Sequence, residues 1–230
     1  MRYFYSVAAS VAALFIGVAS SDAGTLLYSF ENGDSPDSLD GFAANGGGIT
    51  VLQSNIGATV GTGTMNNTSA ASATFTGALT TLVPAALNDP SVTAISFDLT
   101  IAPGDQFTGA FADIGITIFG RTGISPNFNY GVQYQVDPAQ EQNVALGPGT
   151  YNLTVALIGT DPYSGALHQT YGQILNDTFV PTGFEFFYGK SADAPLSVYI
   201  DNVQTVPEPA SIGLGAVGGL LMLACRRRKA

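Results

Sequence analysis

Apolar and polar residues alternate along most of Val92–Ile101, which sets Ile95, Phe97, Leu99 and Ile101 on one face of an extended strand. Wound as a helix, the same residues would point in every direction. The two-residue period returns in Ala110, Ala112, Ile114, Ile116 and Ile118, in Val132, Tyr134 and Val136, and in Tyr151, Leu153, Val155 and Leu157. Phe184, Phe186 and Tyr188 form a fifth row, and Leu196, Val198 and Ile200 a sixth. Thr25–Phe30, Gly48–Gln53 and Ala70–Phe75 are further strand candidates. Turn residues punctuate the joins, as in Pro103-Gly104-Asp105 and Gly147-Pro148-Gly149. About nine strands at this spacing predict an all-β fold, an antiparallel sandwich of two sheets. Leu167, Tyr171 and Ile174, spaced i, i+4, i+7, predict one short helix on a connection. Residues 54–72, rich in Gly, Thr, Asn, Ser and Ala, read as a long surface loop or a weak edge strand.

The two ends follow different rules. Met1-Arg2, an apolar run Val7–Val18 and the small residues Ser21 and Ala23 have the layout of a secretory signal peptide, with cleavage after Ala23. An uncleaved N-terminal anchor is the alternative. At the other end, Pro207, Glu208 and Pro209 cannot continue a helix or a central strand, so the body is expected to end near Val206. Ala210–Ala224 is apolar or glycine except for Ser211, and Arg226, Arg227, Arg228 and Lys229 follow at once. As a helix the run covers roughly 22 Å, short for a bilayer core of about 30 Å. Snorkelling basic side chains and local thinning extend its reach, and the basic cluster suits a cytoplasmic membrane face. A single C-terminal transmembrane helix is therefore expected, with a buried core helix as the alternative.

The order Val-Pro-Glu-Pro-Ala-Ser, glycine-rich apolar run and terminal Arg cluster resembles the PEP-CTERM sorting signal of exported bacterial proteins. The resemblance covers 207–230 and rests on Pro207, Glu208, Pro209, Arg226, Arg227 and Arg228. It implies processing by an exosortase, a membrane transpeptidase, in bacteria that make extracellular polysaccharide. Signal peptidase and the exosortase would be processing partners, with the inner membrane holding the precursor. The mature chain would then reside at the cell surface or in the extracellular matrix.

Residues 24–206 remain, long enough for one domain with a substantial core. Cys225, the single cysteine, lies in the tail, so the body needs no disulfide. Between 24 and 206 there are fifteen acidic residues and two basic ones, Arg121 and Lys190. That balance repels phosphate backbones and excludes nucleic-acid binding. Catalytic signatures are sparse: one histidine, His168, with no GxSxG, HExxH or Cys-His pair. Glu185 and Asp113 point away from their apolar rows but form no constellation without a distance between them, and the chain reads as a non-enzyme. Asn66, Asn152 and Asn176 head Asn-x-Thr triplets, possible glycan acceptors that also arise readily in such a chain.

Tyr28–Asp34 and Val198–Val203 look like the first and last strands of jelly-roll domains of the galactose-binding-like and carbohydrate-binding-module type. The resemblance implies a structural calcium held by Glu31 and Asp201, to which Asp34, Asp37 and Asp40 could add. Solvated carboxylates capping strand ends are the other reading, and no other cofactor is implied. Apolar alternation fails at Asp201-Asn202, as a bulge or a ligand position would make it do. Sugar recognition in such a fold stacks rings on outward aromatics, for which Phe111, Phe119 and Phe187 are the candidates; coverage by a loop is the alternative. The main expectation is an exported structural or adhesive β-sandwich. A glycan-binding module acting on extracellular polysaccharide and a divergent secreted hydrolase are the alternatives.

Overall fold

The computed structural model describes residues 24–31, 39–70, 75–105, 113–122, 125–135, 146–158, 169–176, 179–189 and 195–207. The expected signal peptide, Phe111, His168, and the tail from Glu208 through Pro209 and Arg226–Arg228 lie outside them, as do Asp34, Asp37, Ala110, Ala112, Val136 and Leu167. Among the described residues no helix is long and apolar enough to cross a membrane.

Among the described residues eleven strands follow one another: β1 (Leu26–Tyr28), β2 (Ala43–Asn45), β3 (Ile49–Ser54), β4 (Thr64–Ser69), β5 (Phe75–Thr80), β6 (Val92–Ile101), β7 (Asp113–Thr122), β8 (Ser125–Gln135), β9 (Gly149–Ala156), β10 (Val180–Gly189) and β11 (Leu196–Pro207). They form two antiparallel sheets. The first runs β3-β4-β11-β6-β9 with β1 also on β11, and the second runs β2-β5-β10-β7-β8. The expected two-sheet sandwich is the observed fold, and Thr25–Val206 is one compact unit.

The apolar rows meet between the sheets. Ile95, Phe97, Leu99 and Ile101 of β6, with Val198 and Ile200 of β11, face Ile116, Ile118, Phe184 and Phe186 of β7 and β10, all buried. Aromatic rings bridge the layers: Phe97 meets Phe186 edge-on at 5.1 Å, and Phe42 lies 5.0 Å from Tyr28 and 5.8 Å from Phe186. Offset and edge-to-face rings gain more than their buried area alone. On β8, Val132 and Tyr134 fall in register with Ile118 and Ile116, as their alternation requires.

The helix α1 (Tyr171–Asn176) lies on the β9–β10 connection. Its short length is compensated at both levels. Thr170 and Gln173 form a capping box, with the Thr170 N–H donating to Gln173 Oε1 at 2.8 Å and the Gln173 N–H to Thr170 Oγ1 at 3.3 Å. Tyr171 and Ile174 are buried, and the Tyr171 hydroxyl donates to the Leu87 carbonyl at 2.6 Å. Burial pushes that phenol far above its ordinary range.

One stretch departs from its expected form. Residues 54–72 contain β4, which lies between β3 and β11 rather than at an edge. Its inward residues are Met65, Asn67 and Ser69, all fully buried, so polar groups occupy positions where an apolar row was sought. The Tyr188 hydroxyl lies 3.1 Å from the Asn67 carbonyl and 3.3 Å from Oδ1, while Asn67 Nδ2 has no partner among the described residues. Turning the amide over would face Nδ2 toward the Tyr188 oxygen, an acceptor, and leave the tyrosine its bond to the carbonyl.

Truncating the ring that joins the layers, Phe186→Ala, is expected to cost about 3–5 kcal/mol in urea denaturation. Leu52→Ala, at a position 57% exposed, should change stability by less than about 0.5 kcal/mol.

Candidate functional site

The outer face of the first sheet is organised by a change of partner along β11. One edge of this strand pairs with β4 through Leu196–Ile200 and with β1 through Val203–Gln204. Between the two sits a bulge at Asp201-Asn202, with Asn202 at φ 51°, a left-handed conformation that asparagine tolerates better than most residues. Ile200 and Val203 both stay in the core, so the intervening pair turns outward.

Asp201 is 1% exposed, and a buried carboxylate must be hydrogen-bonded. Its donors come from the β3–β4 connection, residues 55–63. Oδ2 accepts the N–H of Thr59 at 2.7 Å and of Val60 at 2.8 Å, and Oδ1 accepts the N–H of Asn202 at 2.6 Å. Glu31 grips the same loop further along. Its Oε1 accepts the N–H of Thr62 at 2.9 Å and of Gly63 at 3.1 Å, and its Oε2 accepts the Thr62 hydroxyl at 3.1 Å. Gly61 has φ 62°, and a Cβ there would collide with the Glu31 carboxylate.

Asp98, outward on β6, completes the arrangement. Its Oδ1 accepts from Asn152 Nδ2 at 2.7 Å, and its Oδ2 from Thr59 Oγ1 at 2.5 Å and Asn202 Nδ2 at 3.1 Å. Thr59 Oγ1 also lies 3.0 Å from Asp201 Oδ2. A hydroxyl carries one proton, so the two aspartates share a single donor. Burial raises the pKa of Asp98, and the bonds from Thr59, Asn152 and Asn202 outweigh it, holding the carboxyl below its usual range.

Glu31 and Asp201, the calcium ligands that the resemblance to jelly-roll domains implied, both bond the loop 55–63, and their surroundings do not fit calcium. A cation needs carboxylate lone pairs, and main-chain N–H groups of the loop already point at them. Asp40 turns its Oδ2 to the N–H of Phe30 at 3.3 Å. Among the described residues no three acidic, histidine or cysteine side chains form a group able to hold a metal. These carboxylates clamp a loop by hydrogen bonds.

The outer face of the second sheet is different. In the β10–β7 register Gly183 opposes Phe119, Glu185 opposes Thr117 and Phe187 opposes Gly115, all turned away from the core row of Phe184, Phe186 and Tyr188. Phe119 is half-buried, and Phe187 is 5% exposed, so of this pair Phe119 presents more surface to a ligand. Glu185 is 9% exposed. Its side chain crosses Gly77 of β5, where a Cβ would strike it, and Oε1 accepts from Asn45 Nδ2 of β2 at 2.7 Å. No donor among the described residues bonds Oε2. Burial raises the pKa of Glu185, opposed in part by the Asn45 bond.

Asp113, the other outward carboxylate expected on this face, opposes Gly189, four residues along β7 from Thr117, or about 13 Å of strand. The register therefore does not pair it with Glu185. Asn45, Thr117, Thr59 and Asp98 escaped the sequence reading. Asn45 belongs to a three-residue strand with no alternation to read, and Thr59 sits in a stretch that resembles a flexible linker.

Among solved structures, the family 11 carbohydrate-binding module from Clostridium thermocellum, in complex with a β-1,3-1,4-mixed-linked tetrasaccharide, matches with TM-score 0.51. The identity is 11%, over 81% of this chain and 98% of that one. The family 11 module of a cellulosomal cellulase from the same organism matches with TM-score 0.50 and 12% identity, over 82% and 96%. The likeness is one of fold. No protein-family model matches the chain, and no curated protein is similar to it in sequence.

The clamp makes a direct prediction. Chelators and added calcium should both leave Tm within about 1 °C, whereas Glu31→Gln should cost about 0.5–1.5 kcal/mol by weakening its bonds to the loop amides. A calcium-dependent rise of several degrees would overturn the clamp.

The two outward carboxylates should show opposite pH signatures. Asp98, with its pKa lowered by folding, contributes stability above the ordinary carboxylate range that is lost as pH falls through the lowered value. Asp98→Asn should therefore destabilise at pH 7 and converge on the parent in acid. Glu185, with its pKa raised, is most favourable when protonated, and that contribution is lost as pH rises through the raised value. Glu185→Gln should raise Tm at pH 7, with the gain closing toward pH 4.

Proposed function

We propose that the β-sandwich is a non-catalytic glycan-binding module whose binding face is the outer face of the second sheet. One observation carries this reading: Glu185, nine-tenths buried on a face turned away from the core, accepts a single hydrogen bond from the described residues, on Oε1, and none of them bonds Oε2. A carboxylate set among largely buried neighbours with one protein donor leaves its second oxygen available to donors that a ligand brings. Sugar hydroxyls are donors of that kind. The half-buried Phe119, two residues from Thr117 on the same face, offers the apolar surface against which a sugar ring packs. The fold agrees with this reading, since a module of similar fold holds a mixed-linked tetrasaccharide.

The finer assignment comes from the chain's ends. A signal peptide over 1–23 and a sorting signal over 207–230 would deliver the body to the cell surface or the extracellular matrix through signal peptidase and an exosortase. There, binding to extracellular polysaccharide is how an adhesive role would be carried out.

Affinity electrophoresis of the full-length chain in detergent through a panel of polysaccharides tests the reading. Glu185→Ala should weaken the retained glycan by about 10- to 100-fold, the loss expected for a charged hydrogen-bonding group. Glu31→Gln, on the other sheet, should leave retention unchanged. Retention that survives the first substitution and fails with the second would move the site to the clamp face.

A further inference from the structure

Glu185 also restricts which glycans this face can accept, an inference that rests on the glycan-binding reading above. As a residue it is 9% exposed, its carboxylate accepts one hydrogen bond from a neutral amide, and it has no ion-pair partner among the described residues. The neighbouring outward positions, Gly77 and Leu79 on β5 and Gly115, Thr117 and Phe119 on β7, carry no charge. The surrounding chain deepens the negative potential, with fifteen acidic and two basic residues between 24 and 206.

An anionic sugar, whether uronate, sulfate ester or phosphate ester, would place a second negative charge beside this largely buried carboxylate, where like charges repel. A neutral sugar supplies hydroxyl donors and leaves the buried charge uncompensated. An ammonium group does both tasks, offering three N–H donors to the open oxygen and cancelling the charge that burial penalises. The field of the acidic body would also draw a cationic chain toward the face.

We propose that the ligand is a polysaccharide bearing free amino groups, a hexosamine polymer at least partly lacking its N-acetyl substituents, with one ammonium seated against Glu185 Oε2.

The experiment compares three oligosaccharides of equal length binding to the full-length chain in detergent, measured by calorimetry: a β-1,4-glucosamine hexamer, its fully N-acetylated form, and an oligouronate. The free-amine hexamer should bind about tenfold or more tightly than the acetylated one, the advantage of a charge-assisted over a neutral hydrogen bond. The oligouronate should not bind. Glu185→Gln, nearly isosteric, should abolish the preference for the amine. Acetylating the ligand makes the same test without altering the protein, so a folding defect in the variant cannot imitate the result. Equal or tighter binding of the acetylated hexamer, or a preference that survives Glu185→Gln, overturns the amine assignment while leaving glycan binding intact. If neither hexamer nor any polysaccharide of the panel binds, glycan binding falls and the amine assignment with it.

Discussion

A carboxylate taken out of water must be given hydrogen bonds or a counter-charge, and the two outer faces of this sandwich answer that demand in opposite ways. On the first sheet, Asp201 and Glu31 are saturated by main-chain N–H groups, and the loop that supplies them, residues 55–63, is held against the sheet as a result. The bulge that turns Asp201 outward also passes β11 from β4 to β1, so the clamp and the topology of the sheet are one feature. On the second sheet, Glu185 receives a single bond. The satisfied carboxylates build structure, and the less satisfied one is the group on which the proposed glycan site rests.

The contrast explains why the two faces suit different purposes. Asp98, Asp201 and Glu31 exchange water for fixed dipoles, which stabilises the fold and leaves little capacity for anything else to bind. Glu185 loses water without equivalent compensation and costs stability in the free protein. Gly77 and the short strand β2 hold the side chain in place: the glycine leaves room for the Glu185 carboxylate against β5, and Asn45 Nδ2 donates to its Oε1. A two-layer sandwich suits such a division, because a core packed on one side of each sheet leaves the other side free to specialise.

How much of this could be read from the residues depends on the kind of signal each element carries. The rows of β6, β9 and β10, and of β11 as far as Ile200, keep a two-residue period, and the strands lie where it puts them. Strand β4 could be read only as a loop or a weak edge strand because its inward residues include Asn67 and Ser69, whose burial depends on Tyr188, more than a hundred residues away, and on the Leu196 carbonyl. Glycines and threonines at 57–63 have the composition of a linker, yet their small side chains are what let the backbone approach Glu31. The failure of alternation at Asp201-Asn202 was legible as an anomaly, and the bulge is its cause.

The order of the residues by itself determined the all-β class, the inward rows and the strongly acidic balance of the body, because a period of two and a net charge are local or additive properties. Which carboxylate is clamped, which is left open, and that residues 31, 98 and 201 converge on a single loop were decided only by the tertiary structure. Hydrogen-bond satisfaction is a property of groups brought together across the sheets, and no spacing along the chain encodes it.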